Sequence, residues 1–532
     1  MRIGIDFDNT IANYDQAFPN VARILGYETK TNNKRDLKAE LQALENGDSH
    51  WQKVQGLAYG RHISFATLYP GVFEFILRAK SLGVELFIIS HKTEFGHFDE
   101  QKMPLRDAAT SWLIDQNIVG NAKTQIAATN VFFAATRDEK VQKISELNLD
   151  VFVDDLEEVL SDRAFPIQTR KILFGSMGNS IGELSSMPSW REISDELFGE
   201  LDSVSVLFCV QNVWPELKFM AAERIEGRGN SKIFKIESNA GTVALKVYPD
   251  RAIDDRPRQN TEWSALSFLR QNKLQVPVPI RINRAVNWSL IEWIEGENAN
   301  NKASSFIDRA ADFIRALTVA GKSLASKDMF ANATEACLTP NLIESQIRGR
   351  FKSLSEVEDI ELRKFVDLDL APAFTRVAEN ASKILGSSYE SALGESHWAL
   401  SPSDFGLHNA IVTSSNDLMF FDFEYFGWDD PVKLTCDFCL HPGMSLKIEE
   451  QRLWIFEMQK IFDGDSSFLK RLTALYPLYA IRWALIMLNE FRSDKIKNRL
   501  HAQSRMQSDI RGAQDRQLEK AKLMLKNLES PI

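Results

Sequence analysis

Several features of secreted, membrane-bound or disulfide-stabilised proteins are scarce or missing in this 532-residue sequence. Four cysteines are too few for a disulfide framework at this length. Cys436 and Cys439 form a single CxxC without a second pair, which indicates buried thiols on a helix rather than a zinc or redox site. The first residues, MRIGIDFDNT, show no signal-peptide pattern, so we expect a cytoplasmic protein.

Long uninterrupted apolar segments and an excess of positive charge are also missing. The longest apolar run, residues 476–491, contains an arginine, an asparagine and a glutamate, which predicts a buried helix and not a membrane span. The net charge of −10 argues against nucleic acid or an anionic membrane as the main partner. We therefore expect the ligands to be small molecules.

The length indicates more than one domain, because a single hydrophobic core rarely serves a chain of this size. We predict a first domain over residues 1–200 and a second over residues 201–532. The segment Gly175–Pro188 is rich in glycine and serine and predicts a loop before the boundary. A short amphipathic helix predicted over Trp190–Leu201 closes the first domain.

Polar side chains follow three predicted strands of the first domain. Asp6 and Asp8 come after RIGID, Ser90 ends VELFIIS, and VFVDD ends in Asp154 and Asp155. In open α/β sheets ligands bind at the carboxyl ends of the strands. Two carboxylates one residue apart suit a nucleophile and a general acid/base, and the whole set suits magnesium-assisted phosphoryl chemistry.

The order DFDNT, IIS, Lys140 and VDD resembles the haloacid dehalogenase-like superfamily across nearly the whole first domain. The resemblance implies a doubly wound parallel sheet, with Asp6 as phosphoryl-accepting nucleophile and Asp8 as acid/base on the leaving group. Ser90 and Lys140 would hold the phosphoryl group, and an aspartate at position 8 favours a phosphatase. The implied Mg²⁺ ligands are Asp6, Asp8, Asp154 and Asp155.

The helical segment Tyr14–Thr67 resembles a modest cap domain, which would admit a small substrate and exclude a protein. His91, Lys92 and His97 lie close to Ser90 in the sequence. They could select the substrate, but such residues are more often polar wall residues beside a site.

A second set of catalytic residue types occupies the segment 401–437 of the second domain. Asp404 is followed by Asn409, and Asp422 lies beyond a predicted hairpin. Phosphoryl transfer from a nucleotide needs one carboxylate to orient the attacking hydroxyl, and a further acid with an amide oxygen to hold Mg²⁺. The spacing therefore predicts a kinase-type catalytic loop.

Partner residues for such a loop occur upstream. Gly227, Gly229 and Asn230 form a turn between two predicted strands, where glycine lets the backbone approach phosphates closely. Lys246 ends the next strand, and Glu262 opens a predicted helix, which gives the Lys–Glu pair that kinases require.

This second set resembles the aminoglycoside phosphotransferase and choline kinase family over most of residues 219–438, which implies an α+β, two-lobed, protein-kinase-like domain. Lys246 would hold the α/β phosphates of ATP, paired with Glu262, and the glycine turn would cover the nucleotide. Asp404 would be the catalytic base, and Asn409 and Asp422 would bind Mg²⁺.

Three positions depart from that family. Pro402 stands two residues before the base, where the family usually has a histidine that organises the loop. Phe405 and His408 also differ from the usual pattern between base and amide.

We predict a bifunctional enzyme that uses Mg²⁺ and ATP. The first domain would hydrolyse a phosphate ester, and the second would phosphorylate a hydroxyl of a sugar or polyol-like compound. Two alternatives stay open. One is a kinase for a choline or amino-alcohol substrate fused to a nucleotide or headgroup phosphatase. The other is a regulatory or binding protein with one inactive site, which Pro402 favours.

Overall fold

A parallel β-sheet forms the centre of the first part of the chain. The computed structural model describes residues 1–175, 184–226, 231–252, 254–300, 305–324, 327–492 and 510–528. The strands of this part, including a short antiparallel pair β2 and β3 outside the sheet, are β1 (Arg2–Ile5), β2 (Ala12–Asn13), β3 (Thr67–Leu68), β4 (Glu85–His91), β5 (Val131–Ala134), β6 (Val151–Asp154), β7 (Arg170–Phe174) and β8 (Ser185–Met187).

The order of the six sheet strands is β5-β4-β1-β6-β7-β8, and all neighbours run parallel. The strands are short apolar runs, as expected for a sheet covered on both faces. Because β1 lies between β4 and β6, the carboxyl ends of these three strands meet at one edge. The predicted parallel sheet is confirmed, and this topology places the predicted residues of the first site together.

Helices cover the sheet and form the insert between β2 and β3. They are α1 (Ala17–Ile24), α2 (Lys34–Gln42), α3 (Gly47–Tyr59), α4 (Val72–Ser81), α5 (Leu105–Asp115), α6 (Arg137–Glu146), α7 (Glu157–Leu160) and α8 (Trp190–Phe198). Thr136 caps α6 by accepting a hydrogen bond from the Glu139 amide, which fixes where this helix begins. The insert is helical as predicted, and Phe18 of α1 stacks on Trp51 of α3 at 5.1 Å.

An antiparallel sheet follows in the second part and contains the strands that the sequence predicts around residues 219–248. Its elements are α9 (Ser203–Val213), β9 (Phe219–Ile225), β10 (Lys232–Ser238), β11 (Gly241–Val247), α10 (Arg258–Gln271), β12 (Pro279–Asn283) and β13 (Trp288–Glu292). The sheet order is β12-β13-β11-β10-β9. Helix α10 begins at Arg258, before the predicted start at Glu262. Pro257 stands directly before its first residue, where a proline is tolerated although it would interrupt a helix interior.

The remaining part is mostly helical, with short strand pairs around the catalytic segment. Its elements are β14 (Glu297–Asn298), α11 (Ile307–Lys322), α12 (Leu342–Leu354), α13 (Ile360–Lys364), α14 (Ala371–Leu385), β15 (Ala399–Ser401), β16 (Ala410–Val412), β17 (Leu418–Phe420), β18 (Gly427–Asp429), α15 (Pro431–Leu440), α16 (Ile448–Ile461), α17 (Phe468–Met487) and α18 (Ile510–Lys526). A π-helical turn, Phe365–Leu370, joins α13 to α14.

The long apolar run lies mainly in α17, whose Arg482 is buried and bonded to Glu335 and Asp437. Among the described residues, no helix combines the length and apolarity that a membrane crossing requires. All four cysteines are buried and free, so the prediction of buried thiols for Cys436 and Cys439 is confirmed.

The predicted boundary near residue 200 falls beside a shared apolar cluster. Leu77 of α4 belongs to the same cluster as Val206 and Val210 of α9 and Phe234 of β10. Helix α9 therefore packs against both parts of the chain. The two-domain division stays a prediction.

The close packing of β1 gives a test of the fold. A Cβ at Gly4 would lie 2.4 Å from Leu149 Cδ1 and 2.6 Å from Phe152 Cδ2. We expect Gly4→Ala to lower the free energy of unfolding by about 1–3 kcal/mol, measured by urea denaturation, because overpacking forces side chains and backbone to shift. Gly349→Ala is the control: it has open space in α12 and should be neutral or stabilising by up to about 1 kcal/mol. An unchanged Gly4→Ala variant would contradict the packing.

Candidate active sites

A buried lysine joins the ends of β1 and β6 in the first site. Lys140 Nζ in α6 donates to Asp6 Oδ1 at 2.6 Å and to Asp154 Oδ2 at 2.7 Å. All three side chains are almost completely buried. The structure thus brings three of the sequence-predicted residues into direct contact.

The acids of this cluster outnumber its lysine. Asp155 follows β6, and one carboxylate oxygen each of Asp6, Asp154 and Asp155 lies within 4.8 Å of the others. Burial raises the pKa of Asp6 above its ordinary value in spite of Lys140, and the charges of Asp154 and Asp155 raise it further. Three carboxylates around one ammonium leave unneutralised negative charge, and carboxylate oxygens are the ligands that Mg²⁺ prefers. The donor set therefore fits a magnesium ion.

Asp8 has a different environment from the other predicted acids. Lys92 Nζ lies 3.0 Å from its Oδ1 and 2.8 Å from its Oδ2, and the Tyr14 hydroxyl donates to Oδ1 at 2.7 Å. The carboxylate of Asp8 is not part of the three-acid group described above. It is therefore held by hydrogen-bond donors, which suits an acid/base position better than the predicted role as a metal ligand.

Lys92 was expected from the sequence to be a polar wall residue beside the site, yet its side chain is only 2% exposed. Its ammonium also lies 5.1 Å from the Phe7 ring and 4.9 Å from the Tyr59 ring. Its position two residues after Ser90 was the only sequence signal. Its partner Asp8 is 84 residues away in the chain, so only the fold shows that Lys92 belongs to the site.

Ser90 lies where the sequence places it, near the end of β4 and buried. Ile88, two residues earlier, is the register partner of Ile5, so Ser90 reaches the same edge as Asp6. From the helical insert, Lys34 donates to Asn9 Oδ1 at 3.2 Å and to the Tyr59 hydroxyl at 3.3 Å. The insert therefore contacts the loop that carries the first acids.

The first site predicts a charge-dependent stability. Lys140→Met would leave Asp6 and Asp154 buried without their counter-ion, and we expect it to cost about 3–5 kcal/mol of unfolding free energy. Added Mg²⁺ should recover part of that loss because it would bind the same acids. Lys143→Met, one turn along α6 and 36% exposed, should cost less than about 1 kcal/mol. Equal effects of the two substitutions in urea denaturation would contradict this arrangement.

A second buried lysine organises the carboxy-terminal site. Lys246 Nζ, on β11, lies 2.8 Å from Glu262 Oε2, 2.7 Å from Asp422 Oδ1 and 2.7 Å from Glu424 Oε1. The Tyr248 hydroxyl donates to Glu262 at 2.7 Å. The predicted Lys246–Glu262 pair is thus present, and Asp422 joins it from beyond the hairpin of β16 and β17.

Glu424 is a member of this cluster that the sequence analysis did not single out. It accepts hydrogen bonds from the Ser231 hydroxyl at 2.7 Å and from Arg258 Nη1 at 2.6 Å. Its position two residues after Asp422 was the sequence signal, but only the structure shows the positive φ of 69° at Asp422 where the chain turns. The backbone brings both acids to one lysine.

The cluster also fits a divalent cation. Carboxylate oxygens of Glu262, Asp422 and Glu424 lie within 4.8 Å of one another. Burial raises the pKa of Asp422 in spite of Lys246, and Glu424 and Glu262 raise it further. Three acids and one lysine leave an excess negative charge, as in the first site.

Asp404 and Asn409 lie on the loop between β15 and β16. The Asn409 amide nitrogen donates to the Asp404 backbone carbonyl at 3.0 Å, which leaves its oxygen as a possible metal ligand. Two histidines, His408 and His441, have Nε2 atoms 3.3 Å and 3.4 Å from Asp404 Oδ1. Burial alone would raise the pKa of Asp404, but the His408 hydrogen bond and the nearby His441 lower it to about 2. Asp404 is therefore an ionised carboxylate.

Three predicted nucleotide-binding residues, Gly227, Gly229 and Asn230, lie outside the described residues. Ser231, the next residue along, is described and bonds to Glu424. The glycine turn stays a prediction.

A protein-family model matches the region around this second site. Residues 222–433 match the model of the "Phosphotransferase enzyme family". The matched range contains Lys246, Glu262, Asp404, Asn409 and Asp422. The protein is therefore an enzyme, and the carboxy-terminal part of its chain carries a phosphotransferase domain with a kinase-like fold. ATP and Mg²⁺, the predicted cofactors, are consistent with this family.

The match begins at residue 222 and does not include the first site. The haloacid dehalogenase-like assignment of residues 1–200 therefore stays a prediction. The first domain has the predicted parallel sheet, but that architecture serves many unrelated activities. No curated protein sequence matches the chain.

Three solved structures that resemble this chain are distant from it in sequence. Spectinomycin phosphotransferase APH(9)-Ia, in complex with ADP and spectinomycin, is 11% identical over 61% of this chain and 98% of its own, with a TM-score of 0.43. Choline kinase LicA from Streptococcus pneumoniae is 13% identical over 60% and 98%, with a TM-score of 0.41. Plasmodium vivax ethanolamine kinase is 12% identical over 61% and 90%, with a TM-score of 0.41. Likenesses at this level are too weak to identify a substrate.

Nucleotide binding should depend on Asp422. We expect MgATP to raise the melting temperature of the protein, because a ligand at about 100 times its Kd stabilises the folded state by about 2.7 kcal/mol. Asp422→Asn should abolish most of that shift, because it removes one of the carboxylates available to the metal. Asp417→Asn, an exposed acid on the same hairpin, is the control and should keep it. A full shift with Asp422→Asn would exclude Asp422 as a metal ligand.

Proposed function

We propose that this protein is a bifunctional enzyme with a Mg²⁺-dependent, ATP-dependent phosphotransferase in its carboxy-terminal domain and a phosphatase in its amino-terminal domain. The observation that supports it most directly is the recurrence of one arrangement. In each site a buried lysine contacts two or more carboxylates and the acids still outnumber the lysine. Such a site offers carboxylate oxygens to a divalent cation and an ammonium to a phosphate group.

In the carboxy-terminal site, Lys246 would contact the nucleotide phosphates and Glu262 would hold the lysine in position. Asp404 would orient the acceptor hydroxyl and take its proton as the phosphoryl group transfers. Asn409, Asp422 and Glu424 offer oxygen ligands for Mg²⁺, which when bound offsets negative charge on the phosphates. The low pKa of Asp404 makes it a weak base. Its main contribution is therefore to orient the hydroxyl, which suits a loose transition state that needs little covalent help.

In the amino-terminal site, Asp6 would attack the phosphorus of a phosphate ester and form a phosphoaspartyl enzyme, releasing the alcohol. Asp8 would give the leaving oxygen its proton and later activate the water that hydrolyses the intermediate. Lys140 and Ser90 would hold the phosphoryl oxygens. Asp154 and Asp155 would hold Mg²⁺ together with Asp6, and the helical insert would limit entry to small substrates.

The two reactions constrain each other chemically. If both acted on the same hydroxyl, their sum would be ATP hydrolysis. We therefore propose that they act on different positions of one compound or on consecutive intermediates, and that the compound is a sugar or polyol-like molecule with several hydroxyls. The sugar class rests on the resemblances alone.

A metabolite library incubated with the protein, ATP and Mg²⁺ tests this function. Mass spectrometry should show compounds that gain one phosphoryl unit and others that lose one. Gains confined to choline or other amino alcohols would favour that alternative kinase reading. Nucleotide binding without any transfer would favour the regulatory alternative that Pro402 suggests.

Single substitutions should separate the activities. Asp404→Asn should abolish transfer from ATP and leave ester hydrolysis intact, while Asp6→Asn should do the opposite, because each removes one carboxylate that reacts or orients. We expect losses of at least about 10³-fold in kcat, since catalytic groups of this kind act as a unit with their neighbours. Malachite-green phosphate release and coupled ADP detection measure the two rates. If Asp6→Asn leaves ester hydrolysis unchanged, the first domain does not use Asp6 as its nucleophile.

A further inference from the structure

Two histidines, His408 and His441, lie next to the predicted base Asp404. Neither stands at position 402, where the aminoglycoside phosphotransferase and choline kinase family usually has its histidine. Pro402 has no side-chain donor and cannot organise the loop through a hydrogen bond. His408 lies on the same loop, and His441 follows the carboxyl end of α15. Their Nε2 atoms are 3.3 Å and 3.4 Å from the same oxygen, Asp404 Oδ1.

The two imidazole rings form a stacked pair. Their centroids are 3.8 Å apart and their planes differ by 3°. The Trp483 ring meets His441 edge-on at 4.8 Å. The pair is therefore packed from the side of α17 and cannot rotate freely.

Hydrogen bonding fixes which ring nitrogen of His441 carries a proton. The Gly443 backbone N–H donates to His441 Nδ1 at 3.1 Å, so Nδ1 is an acceptor. In a neutral imidazole the proton is then on Nε2, which faces Asp404. Burial, together with His408, lowers the pKa of His441 to about 4, so it is neutral near pH 7. His408 Nε2 likewise faces an ionised carboxylate, which can only accept a hydrogen bond.

The three side chains also form a ligand set of a type that binds transition metals. The ring geometry argues against that use. The lone pair of each Nε2 lies in its ring plane, and two parallel planes do not direct their lone pairs to one point. A metal about 2.0–2.1 Å from both nitrogens would lie far out of at least one plane. A carboxylate oxygen 3.3–3.4 Å away needs a smaller deviation: His408 Nε2 makes a hydrogen bond to Asp404 Oδ1, and His441 Nε2 lies 3.4 Å from the same oxygen.

We propose that His408 and His441 are positioning residues that together replace the missing histidine at position 402. His408 would hold Asp404 Oδ1 by a hydrogen bond, and His441, stacked on His408 with its Nε2 3.4 Å from the same oxygen, would keep the pair in place, which would leave Oδ2 for the acceptor hydroxyl. This inference rests on the proposed phosphotransferase function of the site. It makes the Pro402 departure a relocation of the orienting group instead of a sign of an inactive enzyme.

The supports of His441 explain how a distant residue can fill this role. Its backbone N–H donates to the Asp437 carbonyl at 2.9 Å, the last hydrogen bond of this kind in α15. The Asp437 carboxylate binds Lys433 at 2.9 Å and the Trp483 indole at 2.7 Å. Helix α15 is therefore fixed to α17, and His441 is presented to the loop from a rigid element. Asp437 supports the loop through this route, not through direct contact with Asp404.

The first test does not need an acceptor substrate. Protein labelled with ¹⁵N-histidine should show a proton on Nε2 of both His408 and His441 at pH 7, and Asp404→Asn should change the ¹⁵N shifts of both rings. His62, which stacks on Phe65 in the first domain, should not respond. An Nδ1–H tautomer for His441, or unchanged shifts in Asp404→Asn, would overturn the proposal even if the enzyme proves to be an active phosphotransferase.

The second test uses kinetics with an acceptor identified from the metabolite library. His441→Gln and His408→Gln should each lower kcat by up to about 10²-fold, since misplacing a catalytic group costs that much, while KM for ATP stays within about twofold. His62→Gln should change neither. An unchanged kcat in both variants would reject the positioning role. If no compound accepts phosphate from ATP, the proposed function fails, and the NMR result still decides whether the histidine pair holds Asp404.

Discussion

A buried ammonium among too many carboxylates is the constraint shared by both sites. Lys140 contacts Asp6 and Asp154, and Lys246 contacts Glu262, Asp422 and Glu424. Transfer of one such charge from water costs several kcal/mol, so each cluster is stable only while its charges are matched and hydrogen-bonded. The lysine allows the carboxylates to be buried together. Because the carboxylates outnumber the lysine, the site favours the binding of a further cation.

The two lysines reach this position by different routes. Lys140 lies on helix α6, whereas Lys246 lies on strand β11. Helix α8 connects the surroundings of both. The Trp190 indole donates to the carbonyl of Thr10, in the loop of the first acids, and the next residue, Arg191, donates to the carbonyl of Tyr248, whose hydroxyl binds Glu262. Two adjacent residues of α8 therefore bind the backbone of one segment beside each site.

Residues at strand ends were predictable because their position follows from local patterns. Apolar runs located β1, β4 and β6, and parallel strands in one sheet must end at the same edge, so Asp6, Ser90 and Asp154 were expected to converge. Lys246 and Glu262 were predictable for a similar reason, because a lysine in an apolar strand needs an acid nearby. In these cases the pattern that makes the element also positions the side chain.

Residues whose role depends on long-range packing were not predictable. Lys92 and Glu424 stand beside predicted residues, but nothing local shows that Lys92 binds Asp8 or that Glu424 turns toward Lys246. The start of α10 was misplaced because the apolar spacing is weak before Glu262. The helix begins directly after Pro257. Such residues act through partners that only the folded chain brings near.

His441 shows why a missing motif residue is weak grounds for calling a site inactive. From the sequence, position 402 was the only place to look for the orienting histidine, because a motif records spacing along the chain. The loop requires a donor at a point in space, and a rigid helix such as α15 can deliver one from a distant segment. Loss of the local residue removes function only where no other group can take its place, and we propose that the two imidazoles beside Asp404 take it here.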